Sequence, residues 1–284
     1  MGSALIRELT KVERTWDRVV VCEPAPSSLR EFPDVVVLPG RGVSGSRAQQ
    51  LACAVGRVLA HRGITGGARV RLTVTSLADG ALLVQVNLRV GDTPTRMQAM
   101  TAGPDDLSPA LLRLDRQIAR ASAPWRPRPW PDEIRQMATA PVDAPVARRK
   151  PVVLRRVTPL EAVAAMDAMD YDVHLFTDAE TGEDAVVYRG GPSGLRLARQ
   201  RRVYPPGWSW SPAAVAPRVP LIVNCRPTPV LAEADAVARV CEHGLPFLFF
   251  TDLVTGRGHL LYRRHDGNLG LITPVGGGSA GGAT

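Results

Sequence analysis

The stretch Phe249 to Ile272, FFTDLVTGRGHLLYRRHDGNLGLI, has a near copy upstream, Phe176 to Ala198, FTDAETGEDAVVYRGGPSGLRLA. A shift of 74 residues superposes Thr177 on Thr251, Asp178 on Asp252, Thr181 on Thr255, Gly182 on Gly256, Tyr188 on Tyr262 and Arg189 on Arg263. Such an internal duplication obliges the chain to build the same small unit twice. Each copy reads as strand, turn and strand. A short apolar run meets an Asp able to bond the backbone two residues on, a Gly able to take positive φ follows, and an alternating run ends in Tyr-Arg. Asp266-Gly267 adds a further hairpin before Leu269 to Ile272 in the second copy. Three short strands cannot bury both their faces, and a helical pattern precedes each copy. It comprises Leu160, Val163, Ala164 and Met166 after Thr158-Pro159, and Val230, Ala234, Val237 and Val240-Cys241 after Thr228-Pro229. Thr as N-cap with Pro at the first helical position is a good helix start. From Thr-Pro to Thr-Asp the spacing is 19 residues in the first copy and 23 in the second, which predicts one extra helical turn in the second.

With 284 residues the chain has room for two or three small domains, and its 25 Pro and 26 Gly mark many turns and linkers. The net charge of +8 is unevenly placed. Residues 34–128 hold 13 Arg against 6 acidic residues, residues 151–198 hold 4 basic against 8 acidic, and residues 199–218 hold 4 basic and none acidic. Basic character therefore belongs to one domain and one linker. All basic residues but Lys11 and Lys150 are Arg, which suits bidentate contact with phosphate and equally fits a GC-rich coding sequence. No run approaches the ~18 apolar residues of a membrane helix and no secretory signal pattern is present, so the expected location is cytoplasmic, with no membrane partner. Cys22, Cys53, Cys225 and Cys241 lack any CxxC spacing and read as reduced thiols.

Residues 1–33 form an N-terminal extension with Leu5, Ile6, Leu9, Val12 and Trp16 at helical spacing. A domain follows at 34–124. Asp34 to Pro39 reads as a strand, and Ser46 to Arg62 as a helix with Leu51, Val55, Val58 and Leu59 inward. Ala68 to Leu77 and Ala81 to Val90 alternate strictly and are joined by a turn at Asp79-Gly80. Gly91-Asp92 leads into a third meander strand, Thr95 to Ala102, and residues 105–122 form a second helix with Leu107, Leu111, Leu114 and Ile118 inward. The order is β-α-β-β-β-α. Alternation sets Val70, Leu72, Val74, Val84, Val86 and Leu88 on the face that the helices cover. Arg69, Arg71, Thr73, Gln85, Asn87, Arg89, Arg96 and Gln98 fall on the open face. A Pro/Arg/Trp linker at 125–150 leads to the first module at 151–198, opened by a strand from Val152 to Val157. A basic aromatic linker at 199–218 leads to the second module at 219–274, opened by a strand from Val219 to Asn224. The tail, 275–284, is rich in small residues and expected to be disordered. The fold class is α+β, with one β-α-β-β-β-α domain and two tandem strand-helix-meander modules.

On the second helix Arg113, Arg116 and Arg120 form a stripe at i, i+3 and i+7, with Asp115 the one acid near them. Arg47, Arg57 and Arg62 come from the first helix and its end, Arg41 from the loop ahead of it, and Arg69, Arg71, Arg89 and Arg96 from the open sheet face. Together they make the electrostatic footprint of a protein that lies on phosphate backbones. The domain contains no Trp, Tyr or Phe, so recognition of folded RNA by shape and phosphate is favoured over base stacking. Gly40-Arg-Gly42-Val-Ser-Gly45 matches GxGxxG between a strand and a helix, but the strands that follow are hairpin-linked and Asp79 falls in a turn instead of at a ribose. Asp170, Asp172, Asp178, Glu180, Glu183 and Asp184 read as turn and strand-end acids, since the second copy has Val254 and Arg257 in place of Glu180 and Glu183. His243 near Cys241 does not make a metal site, and no nucleophile with base and orienting group can be picked out. No catalytic residue, metal or cofactor is expected.

The Arg-rich β-α-β-β-β-α domain is followed by a strand, a Thr-Pro helix and Phe-x-x-x-x-Thr-Gly-x-x-x-x-x-Tyr-Arg-Arg-x-Asp-Gly-x-x-Gly-Leu-Ile from Phe250 to Ile272. This combination resembles the long form of the ribosome hibernation-promoting factors, also called ribosome-associated inhibitors. Its duplicated C-terminal module is similar to that of the actinobacterial dormancy-associated translation inhibitors. The resemblance implies the ribosome as partner, with the first domain on rRNA in the small-subunit channel over the tRNA and mRNA sites, silencing translation in dormancy or stress. Long-form members usually carry one C-terminal module, which pairs with its counterpart on a second ribosome. Two modules in one chain are expected to pair within the chain or with another copy, through Phe176, Val187, Tyr188, Phe249, Phe250, Leu261 and Tyr262. Pairing within the chain would silence ribosomes without joining them. Two other readings stay open: a protein–protein adaptor built on the modules, and a nucleotide-binding enzyme using Gly40 to Gly45.

Overall fold

The computed structural model describes residues 20–21, 34–74, 82–101, 103, 106–130, 143–190, 194–201, 221–224 and 226–276. The helical pattern at Leu5 to Trp16, the Asp79-Gly80 turn, Cys22, Cys225, most of the 199–218 linker and the tail from 277 lie outside these residues. The chain divides into two compact units, residues 1–123 and 124–284, and its class is α+β.

In the first unit, β1 (Val20–Val21), β2 (Val35–Pro39), β3 (Ala68–Val74), β4 (Leu82–Val90) and β5 (Thr93–Met100) form one sheet in that order. Helices α1 (Gly45–His61) and α2 (Ser108–Ala121) lie on one of its faces. β2 and β3 are parallel because α1 carries the chain back between them, whereas β3, β4 and β5 are antiparallel neighbours. β1, from the extension, pairs antiparallel with β2. Ser44 starts α1 by accepting a bond from the Arg47 backbone N–H. Leu51, Val55, Leu59, Leu114 and Ile118 pack against Val70, Leu72, Val84 and Val86 to make the core. Val74, expected in that core, is the last residue of β3 and is 41% exposed. Gly40 lies so close to β3 that a Cβ would sit 2.7 Å from the Leu72 carbonyl oxygen. Its lack of a side chain is explained by strand packing, without a nucleotide.

The second unit begins with β6 (Val146–Val152), β7 (Arg156–Val157), α3 (Pro159–Ala168), β8 (Val173–Asp178), β9 (Asp184–Arg189) and β10 (Leu195–Arg199). It continues with β11 (Leu221–Asn224), β12 (Val230–Leu231), α4 (Glu233–Glu242), β13 (Phe247–Asp252), β14 (Gly258–Arg263) and β15 (Leu269–Pro274). Thr158 and Glu161 cap α3 reciprocally. The second helix corrects the sequence expectation. α4 begins after Ala232, and both α3 and α4 have 10 residues, so there is no extra turn. Thr228-Pro229 instead precedes β12, and the Thr228 hydroxyl bonds Gln200 O and Thr251 Oγ1. With the helix start moved, Val230 is 59% exposed and Ala234 faces solvent, while Ala236 and Val240 are buried.

A second difference concerns the strands that open the modules. β11 pairs parallel with β10, giving the order β11-β10-β9-β8-β7, and β6 pairs parallel with β15, giving β12-β13-β14-β15-β6. Each leading strand thus completes the sheet of the other module. Chain length explains the exchange. The free side of β10 and β7 lie on opposite edges of one sheet, four strand spacings or about 19 Å apart. The three residues between β6 and β7 reach about 14 Å when extended. A facing sheet at about 10 Å is within that reach.

The two sheets stack through Leu175, Val186, Ala198, Phe249 and Leu260, with Val173, Tyr188, Phe247 and Ile272 around them. Their outer faces are covered by α3 over Phe176, Val187 and Leu197, and by α4 over Phe250, Leu261 and Leu271. The layers are helix, sheet, sheet, helix.

His174, on β8, is largely buried and stacks on Tyr171. Burial, helped by Arg155, pushes its pKa from 6.5 down to about 4. The unfolded chain takes up a proton below about 6.5 that the folded chain refuses until about 4, so stability falls as pH drops through that window. We expect His174→Leu, which installs the residue found at Leu248 in the second module, to remove about 2 kcal/mol of that acid loss. Urea midpoints of both chains at pH 7 and pH 4.5 check this. A parallel decline in the two chains would contradict it.

Candidate nucleic-acid interface

Pairing across the first sheet aligns Arg69, Asn87 and Arg96 in one row of the open face, and Arg71, Gln85 and Gln98 in the next. Arg96 donates from Nη2 to Gln85 Oε1 at 3.1 Å and also to Gln98 Oε1, which ties its guanidinium to side chains on β4 and β5. Arg89 extends the face and donates to the Asp92 carbonyl at 2.8 Å. On β3 and β4 these side chains alternate with buried Ala, Val and Leu, and on β5 with buried Thr95 and Met97, so one strand pattern gives both a core and a basic surface.

The helical arginines stand on the other side. Because α1 and α2 cover the opposite sheet face, Arg47, Arg57, Arg113, Arg116 and Arg120 do not join the sheet arginines in one patch. The domain has two basic sides with its apolar core between them. Arg41 sits exposed in the loop before α1. Arg62 is spoken for: its Nε and Nη2 donate to the two Asp115 oxygens at 2.6 and 2.5 Å, tying the end of α1 to α2. That bond holds the Asp115 carboxyl below its usual range and raises the Arg62 pKa. It also takes the one nearby acid out of the Arg113, Arg116 and Arg120 stripe.

The seven residues expected to pair the modules divide by face. Tyr188 and Phe249 lie in the cluster between the sheets, where Tyr188 meets Phe247 edge-on at 5.3 Å. Phe176, Val187, Phe250 and Leu261 point the other way, into the two helix-covered cores. Tyr262 carries Lys150 of the exchanged strand β6 over its ring at 5.6 Å. Strand alternation makes this split, since neighbours such as Val187 and Tyr188 face opposite sides.

Of the acids read as turn residues, Asp170, Asp178, Glu180, Glu183 and Asp184 prove to be ion-paired. Asp178 is fully buried and bonds Arg199 Nε at 2.7 Å, and Glu180 bonds Arg199 Nη2 at 3.1 Å. Asp184 reaches across to the second module. It accepts from Arg257 Nε at 2.7 Å, Arg257 Nη2 at 3.1 Å and the Gly258 backbone N–H at 2.9 Å. That contact raises the Arg257 pKa. Asp170 and Asp167 hold the start of the linker. Arg128, 4% exposed, bonds Asp170 at 2.5 Å and its backbone N–H donates to Asp167, which also pairs with Arg189 and accepts from the Trp125 indole N–H. Asp170 takes φ 51° to do so, where the 74-residue shift places Gly244 at φ 61°. The segment 125–130, read as the start of the Pro/Arg/Trp linker, is therefore held on the first module. None of these pairings has a sequence signature, although the change from Glu183-Asp184 to Arg257-Gly258 between copies was visible.

Among the described residues, no group of three or more His, Cys, Asp and Glu is placed to hold a metal, and no helix is long and apolar enough to cross a membrane. Cys53 and Cys241 are free thiols. The loop at Gly40 to Gly45 leads into a sheet whose next strands are antiparallel, so it lacks the parallel second crossover of a dinucleotide site.

The chain thus carries an Arg-rich β-α-β-β-β-α domain, basic on two sides, and a second unit in which two modules complete each other's sheets. Residues 143–197, from β6 to β10, match the family described as Sigma 54 modulation/S30EA ribosomal protein C terminus. Two proteins called dormancy associated translation inhibitor, from two strains of Mycobacterium tuberculosis, are each 72% identical over 271 residues, 95% of this chain and 99% of their own length. The chain belongs to the dormancy-associated translation inhibitor family.

Proposed function

We propose that the chain silences ribosomes by occupying the small-subunit tRNA and mRNA channel through rRNA contacts, as a non-enzymatic inhibitor acting in dormancy or stress. The observation that carries this reading is the placement of arginines on both sides of a domain without aromatic residues. A channel walled by RNA presents phosphates to both sides of whatever fills it, and a domain read by shape needs charge and not stacking platforms. The relatives named as translation inhibitors and the ribosomal family match support the same reading.

The second unit acts, in this proposal, without joining ribosomes. The outer edges of β10 and β15 are occupied by β11 and β6, and the inner sheet faces cover each other. These two edges and the inner faces are therefore not open to a second chain. Added to purified ribosomes, the chain should lower protein synthesis and co-sediment with single ribosomes. A stable ribosome-dimer peak would overturn the second part, and unaffected synthesis at saturating chain would overturn the first.

A further inference from the structure

The contact between the sheets is not symmetric, although the modules that make it are related by a 74-residue shift. That shift places Leu175 at Phe249, Glu183 at Arg257 and Asp184 at Gly258. Asp184 and Gly258 face each other across the contact: a Cβ added to Gly258 would lie 2.7 Å from the Asp184 Cβ and 2.7 Å from Phe249 Cε2. Gly258 thus leaves the room that Asp184 and Phe249 fill. Its backbone N–H and the Arg257 guanidinium satisfy the nearly buried carboxylate. Gln200, directly after β10, closes the seam by donating to Thr251 Oγ1 and Gly256 O.

We propose that Leu175, Glu183 and Asp184 on one side and Phe249, Arg257 and Gly258 on the other form a recognition code that commits each module to the unlike module and bars pairing of like with like. Two first modules brought together in this geometry would set Asp184 against Asp184, overlapping at Cβ, with Glu183 where a guanidinium is required. Four carboxylates would meet, with only the exposed Arg201, 3.7 Å from Glu183, as a nearby cation on each side. Two second modules would bring Arg257 against Gly258 on both sides, leaving guanidiniums without a carboxylate and Gly258 facing Gly258 across a gap. A buried charge without its partner is strongly destabilising, and like charges in contact add to that. The unlike module is present in the same chain, on a linker of about 20 residues, at an effective concentration that a separate chain does not match. The occupant of each module's inner face is therefore the other module of its own chain. This inference concerns the chain alone and holds or fails whatever the chain binds.

Three full-length variants test it by mass in solution and by melting temperature. The first carries Phe249→Leu, Arg257→Glu and Gly258→Asp, giving both modules the first module's residues. The second carries Leu175→Phe, Glu183→Arg and Asp184→Gly, giving both the second module's residues. The third carries all six changes and so exchanges the two halves of the code. Each like–like chain should melt about 10 °C below the parent. Mixed in urea and refolded together, the two should form a 1:1 dimer, and the six-fold variant should return to a monomer with melting near that of the parent. Like–like chains that melt with the parent, or a six-fold variant as damaged as they are, would overturn the proposal.

Discussion

Asp167→Ala should lower the melting temperature of the 124–284 unit by about 10 °C. Asp167 is the acceptor at the centre of a buried network: it pairs with Arg189 and takes bonds from the Arg128 backbone N–H and the Trp125 indole. Arg189 is 1% exposed at its side chain, and its other terminal nitrogen donates only to the Arg128 carbonyl at 3.0 Å. Removing the carboxylate leaves that guanidinium in the interior without a counter-charge, a loss of about 3–5 kcal/mol. Among the described residues Arg128 pairs with Asp170 and Arg189 with Asp167, so deleting one member takes away a buried counter-charge. Trp125 fluorescence follows the same event, because its indole loses its partner and the 125–130 segment loses its hold. Asp167→Asn, which keeps an acceptor and discards only the charge, should cost less. Equal melting of Asp167→Ala and the parent chain would show that the network contributes nothing to the fold.

Much of this architecture was legible in the chain because it rests on local rules. Alternation along Ala68 to Val90 separated Val70, Leu72 and Val84 from Arg69, Arg71 and Gln85, and that separation fixed both the core and the basic face. The 74-residue shift aligned the turns at Gly182 and Gly256, which take φ 71° and 63°. What was not legible depends on choices between equivalent partners. β10 and β15 offer the same kind of edge, so nothing in the apolar pattern of Val146 to Val152 says which one it joins. Only the shortness of the crossover before Arg156 decides, and that requires knowing the sheet order. Thr228-Pro229 misled because its residue types fit a helix start, while the shift itself pointed to Ala232. The pairings of Asp184 with Arg257 and of Asp167 with Arg189 span 73 and 22 residues, distances over which charge pattern carries no information about contact.

The second large effect is expected on ribosome binding. Arg113, Arg116 and Arg120 lie along one side of α2, and replacing all three with Ala should weaken binding about 100-fold at moderate salt. Arginine contacts to phosphate release counterions, so the variant should also lose about 2–3 units from the slope of log affinity against log salt. The fold should survive, since Leu114 and Ile118 carry the packing of α2 and the three arginines lie off the core. Comparable substitution of Arg69, Arg71 and Arg96 on the opposite side should give a similar loss, because the proposed channel has two walls.

Co-sedimentation of the full chain with small subunits across a salt series, beside the Arg113→Ala, Arg116→Ala and Arg120→Ala triple variant, tests the central claim most directly. Binding by the parent that falls steeply with salt, and a variant that binds more weakly with a shallower slope, is the predicted result. Parent and variant binding alike, with no dependence on salt, would mean that the first unit is not the rRNA anchor.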